Sequence, residues 1–261
     1  GGARRIDDKV MAQCPKLEII ASFGVGTERV DLAAARRRGI IVTNTPDVLT
    51  EEVADLAMAL LLSTIRRIPA ADRFVRDGKW EKGRFALSPS LRGRKVGIVG
   101  LGNIGAAIAR RLDGFGVEIA YCGRRRQQTV AYRYFATPEA LAAAVDTLIV
   151  IVPGGRETAN LIDARVLAAL GPDGVLINVA RGSVVDQSAL ISALQSGQIL
   201  AAGLDVFADE PRVPAELIAL DTVVLTPHIG SSSVTTWNDM SQLVCDNLVS
   251  WFRDGKALTP V

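Results

Sequence analysis

The sequence predicts an α/β protein of two doubly wound, parallel-sheet lobes, the first of them incomplete on its N-terminal side. Three observations carry this. Short apolar runs alternate with segments of helical period along most of the chain, the pattern left by successive βα units of a parallel sheet. Residues 96–105 read Val-Gly-Ile-Val-Gly-Leu-Gly-Asn-Ile-Gly, a buried strand running into a G-x-G-x-x-G turn and then a helix. With 261 residues, 49% of them hydrophobic, the chain can bury a core in one large or two modest domains.

Residues 7–13 read as a short helix, and 17–23 as a strand ending in Gly24-Val25-Gly26. Asp31 caps a helix that runs to Arg38 and is closed by Gly39, and 40–43 is a second buried strand. Thr50-Glu51-Glu52-Val53 opens a long helix whose apolar spacing persists to about Ile68; a kink is expected at Pro69, with helix resuming to Val75. Residues 78–92 read as loop. The glycine turn leads into a helix over 106–112. Then come strand 117–122, helix 138–145, strand 148–152, helix 164–170, strand 175–179, helix 188–195, strands 199–205 and 223–226, and a final long helix over 231–251. On this reading the second α/β lobe is complete and the first is short by at least one βα unit. The chain opens Gly-Gly-Ala-Arg-Arg, with neither an initiator Met nor a leading strand, which reads as a fragment, a processed chain or a missing first segment.

A net charge of +2 offers no global field for nucleic acid or an anionic membrane. The longest apolar runs, 56–62 and 147–152, fall far short of a membrane span. Cys14, Cys122 and Cys245 are scattered and lack metal-ligand spacing. An odd count suits a reducing cytosol better than a disulfide framework, and each is expected to be a small buried hydrophobe. No signal peptide is visible. The expectation is a cytoplasmic protein without a metal.

The glycine turn marks a Rossmann-like, dinucleotide-binding lobe. Gly100 makes the tight turn, Gly102 lets a pyrophosphate approach the backbone, and Gly105 lets helix pack on strand, with Leu101, Asn103 and Ile104 between them. The helix N-terminus offers N–H groups and a positive dipole end to the phosphates. NAD proteins carry an acidic residue about 20 positions further on, at the end of the next strand. Here that strand ends Tyr121-Cys122-Gly123-Arg124-Arg125-Arg126, without a carboxylate at the turn. Gly123, Arg124 and Arg125 therefore read as a 2′-phosphate site, since guanidinium groups match phosphate oxygens. NADP(H) is expected, with NAD(H) as the alternative.

His228 is the only histidine. A single histidine is more often structural, but its setting favours chemistry. It stands in Leu225-Thr226-Pro227-His228-Ile229-Gly230, just past a buried strand, on the sheet edge where ligands of doubly wound folds bind. Arg181 and Glu210 hold comparable strand-end positions, so a base, an acid and an arginine can converge on one crevice.

These residues resemble the D-isomer-specific 2-hydroxyacid dehydrogenase family. The resemblance is carried by Gly100-Leu101-Gly102-Asn103-Ile104-Gly105, Asn178-Val179-Ala180-Arg181-Gly182, Asp205-Val206-Phe207 with Glu210-Pro211, and Thr226-Pro227-His228-Ile229-Gly230, in order along nearly the whole chain. Within the family, residues 44–55 and the arginine turn most resemble NADPH-dependent glyoxylate/hydroxypyruvate reductases. The resemblance implies His228 as proton donor to a carbonyl oxygen, Glu210 as its carboxylate partner and Arg181 as the clamp on a 2-keto acid. The chemistry agrees, because hydride arriving at a keto carbon creates an alkoxide that needs a proton. It also implies a substrate-carboxylate loop at Val25 and Gly26, and a nicotinamide-side contact at Asp205. Val152, Val179, Ala180 and Gly230 become cofactor-lining residues. Ser231 is expected to bond substrate or to cap the last helix. Trp237 stands where many relatives have a smaller or basic residue. It is expected to be a partly buried helix aromatic, with a place in the pocket or at an interface as the other readings.

The implied architecture is a substrate domain over 1–90 plus 229–261, a cofactor domain over 91–228, a cleft between them and a two-fold homodimer built through the long helix from Glu51 to Ile68 and the loop after it. The implied reaction is NADPH-dependent reduction of a small 2-keto acid, glyoxylate or hydroxypyruvate, to the D-2-hydroxy acid or glycolate. Two alternatives stand beside it: a cofactor-sensing, corepressor-like scaffold, and a reductase of a bulkier aromatic 2-keto acid.

Overall fold

The computed structural model describes residues 5–261. Along the chain lie α1 (Asp8–Ala12), β1 (Ile19–Ala21), α2 (Leu32–Arg37), β2 (Ile41–Thr43), α3 (Thr50–Ile65), α4 (Ile68–Arg76), β3 (Lys95–Val99), α5 (Asn103–Asp113), β4 (Glu118–Cys122), β5 (Arg133–Phe135), α6 (Pro138–Ala142), β6 (Thr147–Val150), α7 (Ala164–Leu170), β7 (Val175–Asn178), α8 (Gln187–Gln195), β8 (Ala201–Leu204), α9 (Ala215–Ile218), β9 (Val223–Leu225) and α10 (Val234–Asp254). The chain divides into two compact units. One comprises the residues up to Glu52 together with Ser231–Val261; the other is Val53–Gly230. Residues 53–90 thus group with the glycine-motif unit.

In the first unit β1 and β2 pair in parallel, Ile19 opposite Ile41. Asp7 and Asp31 cap α1 and α2 through their side chains, and Met11, Ala34, Ala35 and Val42 form a small core beneath. The end of the chain returns to β2, where the Val261 N–H donates to the Val42 carbonyl at 2.9 Å.

The second unit is built on a seven-stranded, all-parallel sheet in the order β5-β4-β3-β6-β7-β8-β9. The chain runs outward from β3 to one edge, returns to β6, and runs outward to the other edge. The order therefore reverses between β3 and β6, at the switch point where doubly wound sheets bind ligands. β6, β7 and β8 are buried along their whole length, as strands covered by helices on both faces must be. At the amino ends of the strands, Arg94 clasps the sheet. It pairs with Asp146 at 2.9 Å, donates to Thr147 Oγ1 at 2.8 Å and reaches the carbonyls of Asp146 and Asp173.

Four local expectations need correction. The long helix does not kink at Pro69. It ends at Ile65, Arg67 takes a left-handed φ of 53°, and α4 starts afresh with Pro69 in its first turn. Proline has no N–H to donate and its fixed φ suits a first turn, so it begins a helix more readily than it bends one. Strand β5 escapes the sequence pattern because it has three residues on a sheet edge, with Arg133 exposed and its guanidinium 4.7 Å from the Phe135 ring centroid. The final helix begins at Val234, because the Ser233 hydroxyl, not that of Ser231, accepts from the Thr236 N–H. Of the cysteines only Cys122 is buried, with its thiol pushed up to about 11 by burial; Cys14 just past α1 and Cys245 on α10 are exposed. No helix of the described residues is long and apolar enough to cross a membrane.

Candidate active site

Every residue singled out within Val53–Gly230 falls at the carboxyl edge of the parallel sheet. Crossing that edge, β4 ends in Gly123–Arg125, β3 in the glycine turn, β6 just before Val152, β7 just before Val179–Arg181, β8 before Asp205 and Glu210, and β9 before His228. These ends follow one another without a gap. At ~4.8 Å per strand, five intervals separate the arginine turn from the histidine by about 24 Å.

The glycine turn has the form a phosphate cradle requires. Gly100 has φ +104°, and a Cβ there would lie 2.3 Å from the Ile151 carbonyl oxygen, so no other residue fits. A Cβ on Gly105 would lie 2.1 Å from the Gly100 oxygen, so Gly105 closes the turn. At Gly102 nothing lies within 4 Å, and this residue caps α5 with no side chain bonded across the helix N-terminus. The open place faces a ready-made anion site. Arg124, Arg125 and Arg126 are exposed on the neighbouring turn. Open backbone at the helix start plus guanidinium groups one strand away fit a phosphorylated dinucleotide.

Arg181, Glu210 and His228 stand on three adjacent strand ends. His228 Nδ1 and Glu210 Oε2 are 2.8 Å apart, and Glu210 Oε1 accepts the Phe207 N–H at 3.1 Å. The histidine is 44% exposed, so Nε2 is the ring nitrogen left for an outside partner. The Arg181 turn is tied from below: the buried Asn178 amide accepts from Ala180 N–H and donates to the Arg181 carbonyl. Gly182 then meets the Phe207 backbone so closely that a Cβ would sit 1.9 Å from Phe207 C and O. Arg181, the 205–210 turn and His228 are thereby linked in one packed unit.

Asp205 organises the histidine loop. It is 1% exposed, and its carboxylate accepts from Thr226 Oγ1 at 2.6 Å, Ile229 N–H at 2.8 Å and Gly230 N–H at 2.9 Å. Its carbonyl accepts the His228 N–H at 2.9 Å. These bonds hold His228 at φ +54°, a conformation that costs a non-glycine residue roughly 1–2 kcal/mol. Burial raises the Asp205 carboxyl above the ordinary carboxylate range, against the opposing pull of these donors and of the His228 charge. Val179 and Ala180 are buried and Val152 is half-buried beside them.

Val25, Gly26 and Ser231 belong to the other unit. There the Val25 carbonyl accepts from the Asn44 amide at 2.9 Å, and Gly24 and Thr45 exchange two hydrogen bonds of 3.0 Å, so the turn is rigidly held. Val25 is 39% exposed. Trp237 on α10 is 52% exposed and packs edge-on against Phe23 with centroids 5.4 Å apart. Sequence reading missed the parts played by Gly182, Asn178 and the hydrogen bonds of Asp205. Only the Asn178–Gly182 motif itself signalled the first two.

Comparison with known proteins agrees with this geometry. Residues 58–230 match the D-isomer specific 2-hydroxyacid dehydrogenase, NAD binding domain family. An NADPH-dependent glyoxylate/hydroxypyruvate reductase of Sinorhizobium meliloti, solved in complex with NADP and malonate, superposes with a TM-score of 0.97 at 56% identity, over 99% of this chain and 82% of that one. Glyoxylate/hydroxypyruvate reductase A of Arabidopsis thaliana is 48% identical over 98% of this chain and 82% of its own. Hydroxyphenylpyruvate reductase of Plectranthus scutellarioides is 46% identical over the same shares. With a sheet reversed at its glycine turn, a histidine–carboxylate pair at its edge and these likenesses along nearly all its length, the chain belongs to the D-isomer specific 2-hydroxyacid dehydrogenase family.

Proposed function

We propose that the protein reduces a small 2-keto acid, glyoxylate or hydroxypyruvate, to glycolate or the D-2-hydroxy acid with NADPH. The observation that carries this is the His228–Glu210 pair at 2.8 Å, one strand end away from Arg181. When bound, the reduced nicotinamide supplies a hydride to the keto carbon. His228 gives its Nε2 proton to the carbonyl oxygen as charge builds there, and Glu210 holds Nδ1–H, fixing the ring and balancing the imidazolium. Arg181 binds the carboxylate and polarises the carbonyl with a guanidinium whose fork suits both oxygens.

The residues from Gly100 to Gly105 hold the pyrophosphate on backbone N–H groups, and Gly123, Arg124 and Arg125 hold the 2′-phosphate. Val152, Val179, Ala180, Asp205 and Gly230 line the nicotinamide, and Val25, Gly26 and Ser231 meet the substrate. The enzyme works as a cytoplasmic homodimer. Exposed apolar Ile68, Val75, Trp80 and Leu87, on and after α4, support pairing through this region.

A second reading, reduction of a bulkier aromatic keto acid, is favoured by the Plectranthus scutellarioides relative. Following the absorbance of NADPH and of NADH with glyoxylate, hydroxypyruvate and hydroxyphenylpyruvate separates the two. Fast turnover of NADPH with the small acids supports the first reading; turnover with the aromatic acid alone supports the second. Tight cofactor binding without turnover would overturn both.

A further inference from the structure

The arginine turn sits on an unusually well-tied backbone. Tyr121 on β4 is 1% exposed, and its hydroxyl accepts the Gln127 N–H at 2.7 Å. The Gln127 side-chain amide reaches across and donates to the Leu101 carbonyl of the glycine turn. On the neighbouring strand Tyr134, opposite Tyr121 in the register, donates its hydroxyl to the Gly123 carbonyl at 3.2 Å. The two tyrosine rings lie 5.4 Å apart, tilted by 55°. The turn is therefore pinned at Gly123 and again at Gln127, and its second pin is joined to the phosphate cradle.

Nothing in the dinucleotide motif calls for this arrangement, since the glycine turn stands on its own close packing. What needs it is the run of three arginines between the pins, Arg124 and Arg125 above all. A guanidinium recognises phosphate through its geometry as much as its charge, and long side chains on a loose loop lose affinity to ordering. We propose that Tyr121, Tyr134 and Gln127 are positioning residues for cofactor selection. They hold the arginine turn at a set distance from the glycine turn, so that a 2′-phosphate meets Arg124 and Arg125 while the pyrophosphate lies on the cradle. This inference rests on the NADPH reading above.

The test is the dissociation constant of the protein for NADPH and for NADH, measured by titration without substrate. Tyr121→Phe keeps the ring packed on Tyr134 and removes only the acceptor. Gln127→Leu keeps the stem and removes the link to Leu101. Each is expected to weaken NADPH roughly five-fold, the worth of one hydrogen bond, and to leave NADH unchanged. In an Arg124→Ala/Arg125→Ala background, Tyr121→Phe is expected to leave the NADPH-to-NADH ratio where the arginine substitutions put it. Equal weakening of both cofactors by Tyr121→Phe and Gln127→Leu, or no weakening of either, overturns the inference. If the arginine substitutions lower the ratio and these two do not, only the positioning role fails. If the arginine substitutions leave the ratio unchanged, the NADPH reading fails, and this inference with it.

Discussion

Replacing Gly182 with alanine puts the linkage of the site to a direct test. The added Cβ would lie 1.9 Å from both C and O of Phe207 and 2.5 Å from the Ala208 nitrogen, where ordinary contact begins near 3.4 Å. One backbone must therefore retreat from the other by about 1.5 Å, and neither is a flexible side chain. The 205–210 turn resists, because Asp205 N–H is bonded to Asn178, Ala208 N–H to Gln187 and Phe207 N–H to Glu210. Overpacking of this kind costs about 3 kcal/mol of stability. The greater effect falls on chemistry. Arg181 moves with Gly182 while Glu210 and His228 stay with Phe207, and a misplacement on the order of 1 Å costs roughly 10²-fold. The assay is kcat/KM for glyoxylate with NADPH, beside thermal unfolding and the NADPH dissociation constant. Affinity for NADPH should stay near wild type, since the glycine and arginine turns follow β3 and β4 instead. A Gly182→Ala protein with unchanged melting temperature and unchanged kcat/KM would refute the packed link between the arginine and the histidine–carboxylate pair.

Further outcomes follow from the same contacts. His228→Ala should lower kcat by roughly 10²–10⁴-fold while sparing NADPH binding, and an unaltered kcat in steady-state assays would remove His228 from proton transfer. Glu210→Gln should lower kcat less than His228→Ala, because the ring keeps a hydrogen-bond partner at Nδ1 but loses the charge that balances it; a kcat equal to wild type would contradict this. Asp205 gives a stability effect with a definite sign. Its folded-state carboxyl lies above the ordinary carboxylate range, so the folded chain binds the proton more tightly than the unfolded one. Stability contributed by that proton is present at low pH and is lost as pH rises from the unfolded value through the raised one. Denaturant midpoints across this window should fall for the wild type and stay flatter for Asp205→Asn. Arg94→Leu should cost about 3 kcal/mol in denaturant titration by removing the ion-pair partner of Asp146 and the guanidinium donor to the Asp173 carbonyl, while the NADPH-to-NADH affinity ratio holds.

What the sequence made legible was what strand ends make legible. A parallel strand is a continuous apolar run, and the first polar residues past it must lie on the edge where ligands bind. Arg124, Arg181 and His228 follow that rule, Gly100 is marked by the glycine motif and Glu210 by the turn after β8, and the sheet order places Arg181, Glu210 and His228 on neighbouring strands. Hidden from the sequence were contacts made by backbone atoms or by residues whose type is unremarkable. Gly182 in the sequence is one glycine among 24, and only its closeness to Phe207 marks it as a joint. The strand-end place of Asp205 gave no sign of the three donors in the loop it shapes that its carboxylate also faces. Tyr121 carried no signal beyond its place near the end of an apolar strand. Each of these residues fixes the backbone that carries a charged neighbour, and a charged side chain is only as well placed as that backbone. The residues that name the chemistry can thus be read from residue type and position, while those that set its precision come from pairings far apart in sequence: Gly182 with Phe207, Tyr121 with Gln127, Asp205 with Ile229.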